Sequence, residues 1–317
     1  MIPPHSGENR PVLWFFGTGR FAARIFSVLS REISFDLVVT SPPSVGGRGL
    51  KELPSPVEEA CGELGITPLR SESVGKDEIL LSALRETPPL AILVADFGQK
   101  IPEPFLSAPA GGCLNIHPSL LPLYRGAAPV QRSLLNGDPV TGVTLFRLIE
   151  RMDAGPILLQ EEYVPGETET AGEVLDILAE KGSKLFLLGV KCFIEGTCSF
   201  KEQNSESATY APKISNKEAQ VSWNAPAARI VRAVRAFNPA PGAFLFTGSK
   251  RLKIWSAKTS PLSGAPGEVL AFDEGFPVVG TAEGAIILLT VQPEGKRRLD
   301  GAEWARGLHL KKGDFLH

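Results

Sequence analysis

Histidine is scarce in this 317-residue chain, and three of its four copies, His5, His309 and His317, lie near a terminus. His117 therefore stands alone in the interior. Cysteine is equally scarce: Cys61, Cys113, Cys192 and Cys198 show neither C-x-x-C spacing nor a Cys/His cluster. Neither a disulfide framework nor a zinc site is expected. Long apolar runs are missing too, and stretches such as "PPLAILVADF" fall far short of the ~20 residues that span a bilayer. The opening "MIPPHSGENRPVLWFF" lacks a charged-then-apolar signal layout, so a cytoplasmic protein is expected. No internal repeat is found.

A strong charge of one sign is also absent. The net charge of −2 points by itself to no polyanionic partner. The average hides a division, however: from residue 205 onward there are 15 Lys/Arg against 10 Asp/Glu, leaving 18 against 25 before it. A mildly basic C-terminal third on an acidic body hints at a polyanionic ligand. The hydrophobic share of 43% and charged share of 21% are those of a globular chain long enough for two domains.

What is present is an alternation of strand-like and helix-like segments. "VLWFFG" reads as a strand ended by Gly17, "RFAARIFSVLSRE" as a helix and "FDLVVT" as a second strand. "SPVEEACGELG" reads as a helix with Ser55 as N-cap, Pro56 in the first turn and Gly65 at its end. "DEILLSALRE" is another helix, and "LAILVADF" and "GCLNIH" are strands. Such alternation predicts an α/β fold with a Rossmann-like parallel sheet, whose ligands bind at the carboxyl ends of the strands. "GVTLFRLIE" and "GPILLQEEYVP" then read as two strands joined around "RMDAG". A long helix interrupted near Gly182 and the polar stretch "SFKEQNSESATYAPKIS" follow. Beyond a further helix, "APAARIVRAVRAFN", five short strands predict a small OB-like β-barrel. The expected domains are residues 1–200 and 213–317, with a linker over 201–212.

"GTGRFA" matches the dinucleotide fingerprint G-x-G-x-x-A at Gly17, Gly19 and Ala22. An acidic residue should then end the second strand to hold a ribose. Thr40, Ser41 and two prolines stand there instead, and Asp36 lies at the wrong end. A tight strand-to-helix turn explains the glycines without a cofactor.

"GGCLNIHPSLLPLYRGAAP" places Asn115 and His117 two apart at the end of a strand, hence on one face. An amide donor beside an imidazole suits an oxygen that becomes anionic, and the imidazole can also move protons. The pair lacks a carboxylate to orient and charge the ring. Asp153, in the turn "ERMDAGP", is the best candidate. A hydrogen-bonded core or capping histidine is an equally good account of His117 from the pattern alone.

"LNIHPSLLPLYRGAAPVQRSLLNGD" followed by "TGVTLFRLIERMDAGPIL" resembles the formyltransferase family that uses 10-formyltetrahydrofolate. The resemblance implies that Asn115, His117 and Asp153 are catalytic, with Asn115 and a protonated His117 donating to the formyl oxygen. It implies folate contacts at Phe97, Gly98, Gln99, Lys100 and Ile101 and at the turn Ser119, Leu120, Leu121 and Pro122. The co-substrate would be 10-formyltetrahydrofolate, with no metal. "FFGTGRFAA", "GGRG…LPSPV", "RIVRAVRAFNPAPGAF" and "VQPEGKRRLDGAEWARG" resemble the branch that formylates initiator methionyl-tRNA, almost end to end. That likeness implies tRNA contacts at Arg48, Lys296, Arg297, Arg298 and Arg306, less firmly at Arg229, Arg232 and Arg235, in a monomer without membrane contact. The chain departs from the family pattern at Gly19-Arg20, in "TSPPSVGGRG" and in "VEEA", which bears on the first loop and not on the Asn/His/Asp centre. Three further readings stand beside this one: a formyltransferase of amino sugar nucleotides, a non-catalytic tRNA- or nucleotide-binding module, and a folate hydrolase releasing formate.

Overall fold

The computed structural model describes residues 10–46 and 51–316. Its elements, in chain order, are β1 (Leu13–Gly17), α1 (Arg20–Leu29), β2 (Leu37–Thr40), β3 (Ser44–Gly46), β4 (Lys51–Leu53), α2 (Pro56–Glu63), β5 (Leu69–Arg70), α3 (Glu78–Glu86), β6 (Ala91–Ala95) and β7 (Cys113–His117). There follow α4 (Pro129–Asn136), β8 (Thr141–Arg147), β9 (Ile157–Tyr163), α5 (Ala171–Glu195), α6 (Ala227–Ala236), β10 (Phe244–Thr247), β11 (Lys250–Ser260), β12 (Val269–Asp273), β13 (Phe276–Gly280), β14 (Ala285–Pro293), β15 (Leu299–Asp300) and α7 (Gly301–Gly307). Contacts divide the chain into two compact units. One holds Met1–Gly126, Val140–Val164 and Leu175–Tyr210, the other Ala127–Pro139, Pro165–Val174 and Ala211–His317.

The first unit is built on a seven-stranded sheet in the order β5-β2-β1-β6-β7-β8-β9. The five strands from β5 to β7 are parallel, as the alternation with helices predicts. β8 and β9 run antiparallel because the short "RMDAG" turn joins them, and a tight turn cannot connect parallel neighbours. Every residue of β1 and β6 is buried, which is why both read as unbroken apolar runs. α1 covers the sheet with Phe21, Ala22, Ile25, Phe26 and Leu29, an apolar stripe at helical spacing. Ser55 caps α2 by accepting from the Glu58 N–H at 3.1 Å, and Asp77 caps α3 in the same way.

The glycines of "GTGRFA" have a packing explanation. A Cβ on Gly17 would come within 2.7 Å of the Ala22 Cβ, and one on Gly19 within 1.8 Å of the Asp96 carboxylate. That carboxylate accepts a hydrogen bond from the Phe21 N–H, and the Asp96 carbonyl accepts from the N–H groups of Thr18 and Gly19 at 3.2 and 3.1 Å. The positive end of α1 is thus met by a carboxylate from the end of β6.

Two expectations need correction. α5 is a continuous helix of 25 residues and is not interrupted at Gly182. A Cβ there would lie 2.4 Å from the Ile116 Cγ2, so the glycine lets the helix seat closely on β7. A disulfide is also present: Cys192 in the last turn of α5 bonds Cys198. The chain reverses after the helix, with the Thr197 N–H donating to the Cys192 carbonyl, and this brings together cysteines whose spacing carries no signature.

The second unit carries a six-stranded antiparallel sheet, with the path β10-β11-β14-β13-β12 and β15 paired to β14. The five strands read from the sequence are β10 to β14. α6 packs against β11 and α4, burying Ile230, Ala233 and Val234.

Candidate active site

β7 delivers Asn115 and His117 to the carboxyl end of the sheet, on one face. Asn115 pairs in register with Val94 of β6 and Phe146 of β8, and His117 with Thr144 of β8. The His117 ring is buried, edge-on to Phe146. Its Nε2 lies 2.9 Å from the Tyr124 carbonyl, which can only accept, so Nε2 carries a proton. Nδ1 therefore faces Asp153, 3.9 Å from its Oδ2. That distance is too long for a hydrogen bond and short enough for an ion pair when the ring is protonated. The Asn115 side chain is half-buried and makes no hydrogen bond among the described residues. Its donor capacity is unspent.

Asp153 sits in the turn between β8 and β9 with φ of 48°, the left-handed region that aspartate tolerates better than most side chains. From that turn its carboxylate reaches the His117 ring at the end of the sheet. Its Oδ2 also accepts from the Gly126 N–H at 2.8 Å.

The "SLLP" turn is held from beneath. Thr144 Oγ1 donates to the Ser119 carbonyl at 2.6 Å and accepts from the Leu121 N–H, while Gln160 Nε2 donates to the Leu121 carbonyl. Ser119 and Leu121 are buried by this arrangement, and Leu120 and Pro122 are the half-exposed members. In the segment after β6, Phe97 packs on Phe16 and Ile101 lies in the core. Gln99 accepts from the Val74 N–H and donates to the Ser71 carbonyl. Lys100 pairs with Glu150 at 3.0 Å, and a Cβ on Gly98 would meet open space.

Sequence reasoning missed the second layer of the site. Thr144 and Gln160 alternate on strands where only apolar residues stood out. The polar stretch after α5, read as a linker, is strapped along the site turn: the Tyr124 N–H donates to Thr209 Oγ1 and the Arg125 N–H to the Thr209 carbonyl. Gln203 of this stretch donates to the Asp153 carbonyl.

In the second unit, Lys296, Arg297 and Arg298 are all exposed between β14 and β15, and Arg306 is exposed on α7. Arg297 pairs with Glu303 at 2.9 Å. Arg298 lies 3.7 Å over the Trp255 ring, which Lys253 approaches at 5.2 Å. Burial, then Arg251 and Arg298, lowers the Lys253 pKa, so a like-charge group gathers here of which the sequence reading included only Arg298. Its only signal is the alternation Arg251, Lys253, Trp255 along β11. Arg229 is exposed, whereas Arg232 and Arg235 bond backbone carbonyls of Asn136, Glu169 and Gly166 and are structural. Arg48 lies outside the described residues. Among those residues, no group of three or more His, Cys, Asp or Glu could hold a metal, and no helix is long and apolar enough to cross a membrane.

A parallel-sheet unit carrying an amide, a buried imidazole and a carboxylate at its strand ends matches a known family model. The "Formyl transferase" model covers residues 10–190, and the "Formyl transferase, C-terminal domain" model residues 213–309. The chain belongs to the formyl transferase family. More particularly, it is 42% identical to a methionyl-tRNA formyltransferase of Streptomyces griseus over 96% of this chain and 99% of that protein. It is 39% identical to a methionyl-tRNA formyltransferase of Thermus thermophilus, over 95% and 98%. Among solved structures, HypX from Aquifex aeolicus in complex with tetrahydrofolic acid shares the fold at a TM-score of 0.64 and 18% identity, over 98% of this chain and 51% of that one. The N-formyltransferase from Helicobacter canadensis does so at 0.62 and 18%, over 87% and 98%.

Proposed function

We propose that this protein transfers the formyl group of 10-formyltetrahydrofolate to the α-amine of initiator methionyl-tRNA, giving the formylated tRNA for translation initiation. The observation that carries the reading is the unspent Asn115 amide beside the buried His117–Asp153 pair, in a chain matching such transferases over nearly its whole length. The folate supplies the formyl carbon. Asn115 donates to the formyl oxygen as it gains charge while the methionyl amine adds. His117, its Nε2–H spent on Tyr124, donates from Nδ1 in its charged form, with the Asp153 carboxylate opposite as counter-ion. Asp153 is also the carboxylate that takes the proton lost by the amine, directly or through water; as the oxyanion collapses the bond between the formyl carbon and N10 breaks, and N10 takes up a proton as tetrahydrofolate leaves.

Phe97 to Ile101 and Ser119 to Pro122 flank the folate in this reading. Arg48, Lys296, Arg297, Arg298 and Arg306 contact the tRNA, with residues 1–200 as the transferase domain, 201–212 as the linker and 213–317 as the tRNA-binding domain. The protein works as a monomer in the cytoplasm, where its substrate is used.

The test is transfer of labelled formyl from 10-formyltetrahydrofolate to purified initiator methionyl-tRNA, with elongator methionyl-tRNA and free methionine alongside. Transfer to the initiator alone, abolished in His117→Ala and Asp153→Ala, is expected. Folded protein that formylates no tRNA would sink the reading.

A further inference from the structure

Asp153 holds a backbone conformation that needs support, and the support comes from two residues far away in sequence. Gln203 Nε2 donates to the Asp153 carbonyl at 2.9 Å and to the Gly155 carbonyl at 2.7 Å, bracketing the turn on both sides. Its Oε1 accepts twice from Arg125, at 3.1 Å from Nε and 2.7 Å from the second guanidinium nitrogen. Arg125 is 1% exposed, the largest fully buried side chain among the described residues. Burying a guanidinium is costly unless its donors are met; Gln203 takes the bonds of two of its nitrogens, while the third is buried without a hydrogen-bond partner, so losing Gln203 would leave the whole group unmet. The circuit then closes on the carboxylate, because the residue after Arg125 is Gly126, whose N–H donates to Asp153 Oδ2.

We infer that Gln203 and Arg125 are positioning residues for the carboxylate: they set where Asp153 stands relative to His117 without touching a substrate. One side chain fixes the backbone of Asp153 and the other fixes the loop that carries the carboxylate's donor. A buried charge couples the two, so neither half of the turn can drift alone. The inference rests on the reading of Asp153 as catalytic. A displacement of about 1 Å in such a group costs on the order of 10²-fold in rate, so the effect belongs in kcat.

The test uses the full chain in the formyl-transfer assay, with kcat and KM measured for both substrates. Gln203→Glu keeps an acceptor for Arg125 and so protects the buried charge, but it turns acceptors toward the two carbonyls. Gln203→Met removes both interactions and is the harsher variant. Gln203→Glu is expected to lower kcat about 10- to 100-fold while both KM values stay within about threefold. A merely structural role would lower the amount of folded enzyme and leave its kcat and KM intact. In an Asp153→Asn background, whose residual rate is already low, adding Gln203→Glu should change that rate by less than about threefold, since groups acting as a unit are not additive.

A kcat within twofold of the parent in Gln203→Glu, or losses that multiply in the double variant, would overturn the positioning role while an inactive Asp153→Asn left the catalytic reading standing. Full activity in Asp153→Asn would instead remove the catalytic reading, and the positioning role with it.

Discussion

Asn115 makes the sharpest single-residue test. Its amide has no partner among the described residues, so Asn115→Ala should leave the fold intact and lower kcat about 10²- to 10³-fold, the usual cost of one oxyanion donor. An unchanged thermal midpoint with that loss supports the role; an unchanged kcat removes it. The free thiols behave oppositely. Burial, then Glu58, pushes Cys61 up to about 12, and burial raises Cys113 as well. Both stay protonated and enclosed at neutral pH. A thiol reagent should therefore find no reactive cysteine in the native protein and two after unfolding without reductant; a rapid native reaction would contradict the burial of both. At this scale the sequence is informative where chemistry follows from neighbours along the chain. Asn115 and His117 are legible because a strand puts i and i+2 on one face. Gln203 is not, since nothing local marks a glutamine in a polar stretch as the support of a turn 50 residues earlier.

Helix α5 shows how packing outweighs propensity. Gly182→Ala favours a helix by about 1 kcal/mol, yet the added Cβ meets the Ile116 Cγ2 at 2.4 Å. Overpacking of about 1–3 kcal/mol should win, lowering the urea midpoint. Because Ile116 stands between Asn115 and His117, kcat should fall too. A stabilised, fully active variant would show that the helix has room. In the second unit, Arg132 of α4 binds Glu218, whose carboxyl is held at about 2, chiefly by that guanidinium and next by the Ser215 N–H. The folded pKa is depressed, so the contribution is complete above the unfolded value near about 4.3 and is lost as pH falls toward 2. With the carboxylate 39% exposed, it is worth about 1 kcal/mol after solvent screening. Glu218→Gln should therefore weaken the protein at pH 6 and make little difference near pH 2, in denaturant titrations at both. The signals for α4 itself were modest: Pro129 in the first turn and Gly137 in left-handed conformation past the end. A neighbouring run of Pro and Gly obscured them. α7 likewise hides behind a basic run, although Asp300 caps it by accepting from Ala302 and Glu303.

Across the whole molecule the division of charge becomes testable. Lys253, Arg251 and Arg298 gather on a sheet otherwise poor in a guiding motif. Each phosphate contact contributes roughly 0.7–0.9 to the slope of log affinity against log salt. Arg298→Ala should raise KM for the tRNA and flatten its salt dependence by about one contact, with KM for the folate unmoved. An unaltered salt slope would assign Arg298 to packing on Trp255 alone. The parallel part of the sheet was readable because most of its strands are followed by a helix, although β6 passes to β7 with none between them. The antiparallel β8 and β9 were readable as strands but not in direction, which the turn between them decides. The Cys192–Cys198 bond was unreadable because the reversal after α5, not the spacing, creates it.

The Asp96 carboxyl at the head of α1 bears on what this turn can bind. A helix end preceded by those glycines is where other proteins hold the phosphates of a dinucleotide. Here the seat is already filled from within the fold, since a Cβ on Gly19 would lie 1.8 Å from the Asp96 carboxyl. A nucleotide phosphate would have to displace that side chain before it could reach the helix.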